Sequence, residues 1–350
     1  MQENREEFCR QMSFMREHLN VVYITDGHFE NQCGVSLNSL LRTNAGLDID
    51  VYILEDGISE TARENFNSLG ASLHFIPVKG LHENTAFQEA HGFQPIVYTR
   101  LLLTEYLPES VNTVLYIDAD TVVDGPLEEI AQMKLSDDTY IAAVPELYMP
   151  AAIQMESIGF QKSDIYYNAG VLLINLHAWR TYELSAQFMD YLKENQERLR
   201  FNDQDIINAC CKEHVWTLLP TYNMNPSLPW FPTWFVKRHL VWGRALSVDQ
   251  KAYQKMLDHP SIIHYMGDER PWITGNYNYY RSVWEQWAAE YGWQTEKGEK
   301  ARMNWYLLCY RILNGITRIC PWVRITFTCL IGIHVHELRK SWNQLQEWLH

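Results

Sequence analysis

The 350-residue chain reads as an α/β protein: a Rossmann-like mixed sheet flanked by helices, with a C-terminal helical appendage. Three observations predict this. Short apolar runs rich in β-branched residues alternate with stretches of helical spacing from residue 20 to about 265, as expected for strands joined by crossover helices. Two of these runs end abruptly in carboxylates, at Asp26 and at Asp118. Near residue 295 the composition shifts from an acidic body to a basic, Trp-bearing tail.

Each element has its own reason. Asn20–Thr25 (NVVYIT) is a buried strand, and Cys33–Leu41 has helical spacing. Asp50–Leu54 is a second strand, Ser59–Leu69 a helix capped by Ser59, and Ala71–Ile76 a third strand. Alternation of this kind implies parallel strands with crossover helices. Tyr98–Tyr106 reads as helix, Thr113–Ile117 (TVLYI) as a strand stopped by Asp118-Ala119-Asp120, and Tyr140–Val144 as a strand. Val171–Asn175 follows Asn168-Ala169-Gly170 as another strand. Thr181–Glu197 is an amphipathic helix, Asp203–Ala209 a short one, Ser261–His264 a late strand and Tyr279–Tyr291 a helix. Residues 220–245, rich in Pro and aromatics, form a structured loop over the site. The expected organisation is an N-terminal segment 1–17, one domain 18–292 and a tail 293–350.

Composition excludes several classes. Hydrophobic residues are 47% and charged residues 21%, an ordinary globular balance. A net charge of −14 argues against a generic nucleic-acid binder, which needs a basic face to meet phosphates, so nucleic acid is not an expected partner. The seven Cys are irregularly spaced without a CxxC pair, and the first ten residues lack a signal-peptide core. Both point to a cytoplasmic protein with reduced thiols. The longest apolar run, Ile325–Ile333, has nine residues and does not reach a membrane span.

The chemistry concentrates at strand ends, where open α/β sheets bind ligands. Asp118 and Asp120 flank the small Ala119 and could converge on one hard cation such as Mg²⁺ or Mn²⁺; a plain strand-end turn is the alternative. Asp26, in Thr25-Asp26-Gly27-His28-Phe29, could hold a base edge while Phe29 stacks on it, or could simply cap a helix. His264 ends SIIHY and could supply a third metal ligand or be a buried structural histidine; Gly267 permits close backbone approach and Arg270 could neutralise a diphosphate. Asn202-Asp203-Gln204-Asp205 opens a helix, where acids commonly serve as caps. Arg100 and Asn168-Ala169 have equally plain structural readings. No GxGxxG follows the first strand and no GxxxxGK[ST] occurs, so dinucleotide and P-loop readings lack support.

Taken in order, ITDGHF, YTRLLLTEYLP, VLYIDADTVVDGPL, YYNAGVLLINLHAWR, NDQDIIN and HYMGDERPW cover about residues 20–275. This series resembles the family 8 glycosyltransferases, the family of glycogenin and of bacterial lipopolysaccharide galactosyl- and glucosyltransferases. The resemblance implies a GT-A fold, a UDP-glucose or UDP-galactose donor, Mn²⁺ (or Mg²⁺) and retention of anomeric configuration. It places Asp118, Asp120 and His264 as metal ligands. It places Thr25, Asp26, Phe29, Asp118, Ala119, Gly267 and Arg270 at the nucleotide, and Arg100, Asn168, Ala169, Asp203 and Gln204 at the donor sugar. Gln204 matches the residue near the anomeric carbon, with Asp203 orienting sugar hydroxyls or acting as nucleophile. Arg270 replaces the family's usual Lys, and Gly27-His28 stands where bacterial members tend to carry Asp-Asn.

The tail adds a separate expectation. Residues 301–350 hold six Lys/Arg against two acids, while the first 300 carry 23 against 41. Met303–Ile319 is apolar over a wide helical arc with Arg311 and Arg318 seven apart. Such a helix suits peripheral contact with anionic lipid at the inner face of the membrane, fitting a glycolipid acceptor; packing on the domain is the alternative. Two other readings are a non-catalytic sugar-binding protein of the same fold and a haloacid-dehalogenase-like phosphatase, suggested by Asp118-Ala119-Asp120-Thr121. The phosphatase needs a later acidic pair after a strand, which Asp137-Asp138, following Leu135-Ser136, does not provide.

Overall fold

A computed structural model describes residues 16–78, 95–147, 152–161, 163–240, 249–267, 269–273, 275–293 and 304–327. Most of the N-terminal segment, residues 79–94, the end of the expected 220–245 loop from residue 241 and the tail beyond residue 327 therefore lie outside the described residues.

Strand β1 (His18–Asp26) leads through helix α1 (Glu30–Thr43) to β2 (Asp48–Asp56), and α2 (Glu60–Asn67) returns the chain to β3 (Ser72–Pro77). Ser59 caps α2, its hydroxyl accepting from the Ala62 amide at 3.1 Å. β1, β2 and β3 are parallel, as is β4 (Thr113–Ile117) beside β1. The full sheet has the order β3-β2-β1-β4-β7-β6-β8, with β6 Ile141–Pro145, β7 Tyr167–Asn175 and β8 Val215–Thr217. Alternation suggested parallel strands, but β7 runs antiparallel to both β4 and β6. This reversal places the first residues of β7 at the edge where β4 ends. A second, two-stranded sheet pairs β5 (Thr121–Val123) with β9 (Ile262–His264) in antiparallel register, Thr121 opposite His264.

The strand pleat divides the core into two layers. Val21, Tyr23, Val51, Ile53, Leu115 and Ile117 face one layer with residues of α1; Val22, Leu54, Val114, Tyr116, Leu172 and Ile174 face the other. The second layer is closed by α3 (Leu176–Thr181), α4 (Leu184–Asn195) and α5 (Asn202–Cys211). The helix expected over Thr181–Glu197 is present but starts at Leu184, because α3 ends at Thr181 and Glu183 takes a left-handed φ of 52° between α3 and α4. The Tyr98–Tyr106 segment is a 3-10 helix, Pro95–Leu102, that becomes α-helical only at Leu103–Tyr106. Within 220–245, 3-10 turns at Pro220–Tyr222 and Leu228–Trp230 precede a short helix Thr233–His239. Helix α6 (Arg281–Tyr291) ends at Gly292, whose φ of 86° suits a C-cap.

The tail begins with α7 (Asn304–Ile319), and helical backbone resumes over residues 321–327. It packs on the domain. Arg324 is buried, hydrogen-bonds Asn314 Oδ1, donates to Ser227 Oγ at 2.9 Å and lies 3.8 Å from Glu269. Trp322 packs its ring on Phe235 and His239. No helix among the described residues is long and apolar enough to cross a membrane.

Candidate active site

The carboxyl edge of β4 is the centre of the site. The Asp118 amide donates to the Gly170 carbonyl at 2.8 Å, so β7 fixes the residue that follows β4. Tyr116 and Arg100 both donate to Asp118 Oδ1, Arg100 at 2.9 Å. Asp120 is held through its carbonyl, which accepts from the Tyr265 amide at 2.9 Å. Pairing of β5 with β9 then delivers His264, whose Nε2 lies 3.1 Å from Asp120 Oδ1 and 3.5 Å from Asp118 Oδ2.

The histidine is oriented from behind. Asn223 donates its Nδ2 to Asn168 Oδ1 at 2.8 Å, which leaves Asn223 Oδ1 to accept from His264 Nδ1 at 3.0 Å. That network assigns the proton to Nδ1 and turns Nε2 toward the two carboxylates. Burial alone would lower the His264 pKa, but Asp120 and Asp118 more than reverse this and raise it. Burial pushes the Asp120 carboxyl up, and His264 and Arg270 hold it below its usual range. The ligand atoms of Asp118, Asp120 and His264 lie within 4.8 Å of one another. Two carboxylate oxygens and an imidazole nitrogen, all held by a surrounding hydrogen-bond network, fit a divalent cation of the Mg²⁺/Mn²⁺ class.

Gly170 makes this approach possible. A Cβ there would stand 2.0 Å from His264 Cε1 and 2.7 Å from Asp118 Oδ2. The sequence reading did not single out Gly170, because a glycine before a strand looks like turn punctuation.

Arg100 joins the Asp118–Asp120–His264 cluster to α5. Buried and stacked on Tyr116, it donates Nη1 to the Ala169 carbonyl at 2.7 Å and places Nε 2.8 Å from Asp203 Oδ2. Burial raises the Asp203 pKa to about 6 even though the Arg100 charge opposes the shift. The Asn202–Asp205 motif divides its work. Asp205 is the structural member, accepting from the Arg200 and Phe201 amides at 2.7 and 2.9 Å. Gln204 Oε1 accepts from the Ala169 amide at 2.9 Å, which fixes which end of its side-chain amide is oxygen. Asn202 carries a left-handed φ of 44°, a strained conformation at the junction that aims Asp203 and Gln204 inward.

Glu146 was missed by the sequence reading. It follows β6, accepts from Asn168 Nδ2 at 2.8 Å and is pushed upward in pKa by burial. Its signal was the one that exposed Asp118, a carboxylate directly after an apolar strand.

The remaining residues form a second group beside the first. Asp26 Oδ1 accepts from the His28 and Phe29 amides at 2.9 and 3.1 Å, so Asp26 does shape a turn. Thr25 is buried and Ala119 nearly so. Gly267 has a φ of 88°, open to glycine. Arg270 donates to the Gly267 carbonyl at 3.2 Å and lies over the rings of Phe29 and Trp272, 5.5 and 5.8 Å from their centroids. Asp137 and Asp138 lie in an exposed turn.

A Rossmann-like sheet carrying a cluster of two aspartates and a histidine at its β4 edge resembles the GT-A fold of glycosyltransferases. Residues 20–274 match the model of glycosyl transferase family 8, and the chain belongs to that family. It is 24% identical over 287 residues to the lipopolysaccharide 1,2-glucosyltransferase of Escherichia coli, covering 77% of this chain and 78% of that one. It is 25% identical over 215 residues to a putative glycosyltransferase of Haemophilus influenzae, covering 60% of this chain and 64% of that one. The crystal structure of galactosyltransferase LgtC with donor and acceptor sugar analogues has the same fold, with a TM-score of 0.64 at 23% identity over 78% of this chain and 96% of that one. The protein is thus an enzyme that transfers a sugar.

Proposed function

We propose that this enzyme is a retaining hexosyltransferase. It moves glucose or galactose from a UDP-sugar to a saccharide or lipid-linked saccharide of lipopolysaccharide type. The observation that carries the reading is the gathering of Asp118, Asp120 and His264 beside the Gly267–Arg270 loop. In this reading residues 18–292 are the catalytic unit and 293–350 an appended tail.

Asp118, Asp120 and His264 would hold Mn²⁺ or Mg²⁺, which when bound supplies charge stabilisation to a departing diphosphate. Arg270 places a second cation at the same charge, pre-oriented by the Phe29 and Trp272 rings. Asp26 and Phe29 contact the base, with Thr25 and Ala119 contributing main chain. Arg100, neutralised by Asp118 and Asp203, fixes the Ala169 carbonyl and the Asp203 carboxylate against which sugar hydroxyls align. Gln204, anchored through Oε1, keeps a second lone pair for positive charge developing at the anomeric carbon. A neutral amide is a poor nucleophile, and Asp203 is committed to Arg100, so we favour front-face attack in which the departing phosphate takes the acceptor's proton.

The test is a thermal-shift panel of UDP-glucose, UDP-galactose, UDP-N-acetylglucosamine, GDP-mannose and UDP, each with Mn²⁺ or EDTA. A ligand confined to the native state raises apparent stability. The expected result is a Mn²⁺-dependent shift with one UDP-hexose, lost in Asp120→Ala, together with slow UDP release. No shift with any nucleotide at saturating concentration would overturn the proposal.

A further inference from the structure

Helix α7 meets the domain across a cleft of about 440 Å³ lined by Trp230, Tyr277, Arg311, Asn314, Gly315 and Arg318. It is open to solvent: Tyr277, Arg311, Gly315 and Arg318 are exposed, and Trp230 and Asn314 are its buried members. The cleft is separate from the cluster around Asp118, and no step of the transfer reaction described above uses it.

Its chemistry is specific. Arg318 stacks its guanidinium on Trp230, 4.7 Å from the ring centroid, and Arg311 lies 5.8 Å from that of Tyr277. Neither meets a carboxylate among the described residues. A guanidinium stacked on a ring uses its π face and keeps its in-plane N–H groups free, an arrangement that recognises phosphate. Tyr277 leaves 43% of its surface exposed, a flat face beside the two cations. Gly315 supplies an independent argument. In a helix interior glycine is disfavoured relative to alanine. Yet a Cβ at Gly315 would meet nothing within 4 Å. Packing does not demand this glycine, and the space beside it is open to a ligand. The setting also selects for anions, since the tail holds the positive charge of an otherwise acidic chain. Asn314, on the cleft wall, donates to Glu269 Oε1 at 3.0 Å, next to Arg270 of the proposed donor loop.

We propose that this cleft binds a phosphate ester carried on a polyol, with Arg311 and Arg318 at the phosphate and Tyr277 against the polyol. The acceptor's own phosphorylated saccharide and a glycerophospholipid headgroup share this chemistry. The link to the acceptor rests on the transferase reading; the binding itself does not.

The test is calorimetric titration of the full chain with mannose 6-phosphate and glycerol 3-phosphate, in EDTA and without donor. Free mannose is the control. Both phosphates should bind saturably and mannose should not. Arg311→Gln and Arg318→Gln should each weaken binding about tenfold, from loss of a charge-assisted contact. Gly315→Leu, which fills the cleft while favouring the helix, should abolish binding with the thermal midpoint maintained. Asp120→Ala should leave it intact. Failure of both phosphates to bind, indifference to Gly315→Leu, or loss with Asp120→Ala would overturn the proposal. Competition by phosphatidylglycerol vesicles, but not by phosphatidylcholine vesicles alone, identifies the headgroup as the source. Binding without such competition identifies the saccharide. UDP release from UDP-hexose, followed in parallel, separates the two readings: its absence with cleft binding intact overturns the transferase proposal alone.

Discussion

A single methyl group at position 170 would collide with two members of the Asp118–Asp120–His264 cluster, the proposed metal site. The Cβ of Gly170→Ala would overlap His264 at 2.0 Å and press on Asp118 at 2.7 Å, and both neighbours are locked by their own hydrogen bonds. Overpacking of this kind costs about 1–3 kcal/mol. The variant should fold with reduced stability and show no Mn²⁺-dependent thermal shift, while Gly46→Ala, where a Cβ meets nothing within 4 Å, should retain the shift. Asp203 offers a pH prediction at the same scale. Its pKa is raised from 3.8 to about 6, chiefly by burial, so between those values the folded state holds a proton that the unfolded state has released. Stability must then fall as pH rises through this window. Relative to Asp203→Asn, which does not titrate, the native chain should lose stability from pH 4 to above pH 6 by at most about 3 kcal/mol. Urea denaturation of both chains across that range measures it. A difference that grew with pH would mean that the Arg100 ion pair outweighs burial.

At the scale of elements, the tail is bolted to the domain by Arg324. Its guanidinium satisfies Asn314 and Ser227 and neutralises Glu269, all in a nearly closed space. Breaking a buried pair by removing one partner costs about 3–5 kcal/mol, because the other charge is left uncompensated. Arg324→Met should therefore destabilise strongly, and adding Glu269→Gln should recover part of the loss, a coupling that a double-mutant cycle in urea would read. Glu269 adjoins Arg270, so the single variant should also raise the KM for donor. Little of this was legible beforehand. The strand cores at Asn20–Thr25 and Thr113–Ile117 were readable because apolar runs report burial, whereas the periodicity of Asn304–Ile319 revealed the helix but not which face is buried. Ser261–His264 was legible as a strand, but the three-residue β5 and its pairing with β9, which carries His264 to Asp120, left no signal. Asp26, Asp203 and Asp205 all look like caps in sequence. Only the fold shows that Asp205 is a cap, that Asp203 faces Arg100, and that Asp26 orders a turn. Glu146 and Gly170 went unseen for lack of long-range partners in the local sequence.

At the scale of the whole molecule, α7 is amphipathic with its apolar side facing outward. Asn314 and Thr317 face inward, whereas Leu308, Ile312, Ile316 and Ile319 are 56, 52, 38 and 85% exposed. These four recur on one helical face, flanked by Arg311 and Arg318. An exposed apolar stripe edged by arginines suits a lipid interface. The charge asymmetry adds an orientation: an anionic surface repels the acidic body and attracts the tail. Deleting residues 300–350 is a poor test, because it would uncover Phe235 and leave the Glu269 and Ser227 contacts unmade. Ile312→Glu with Ile316→Glu is the better one. Both side chains point away from the domain, so stability should change by less than about 0.5 kcal/mol per site. Co-sedimentation with phosphatidylglycerol-containing vesicles should fall sharply, and in the native chain it should weaken as salt screens the arginines. Retention of full co-sedimentation by the double variant would show that the stripe does not meet lipid.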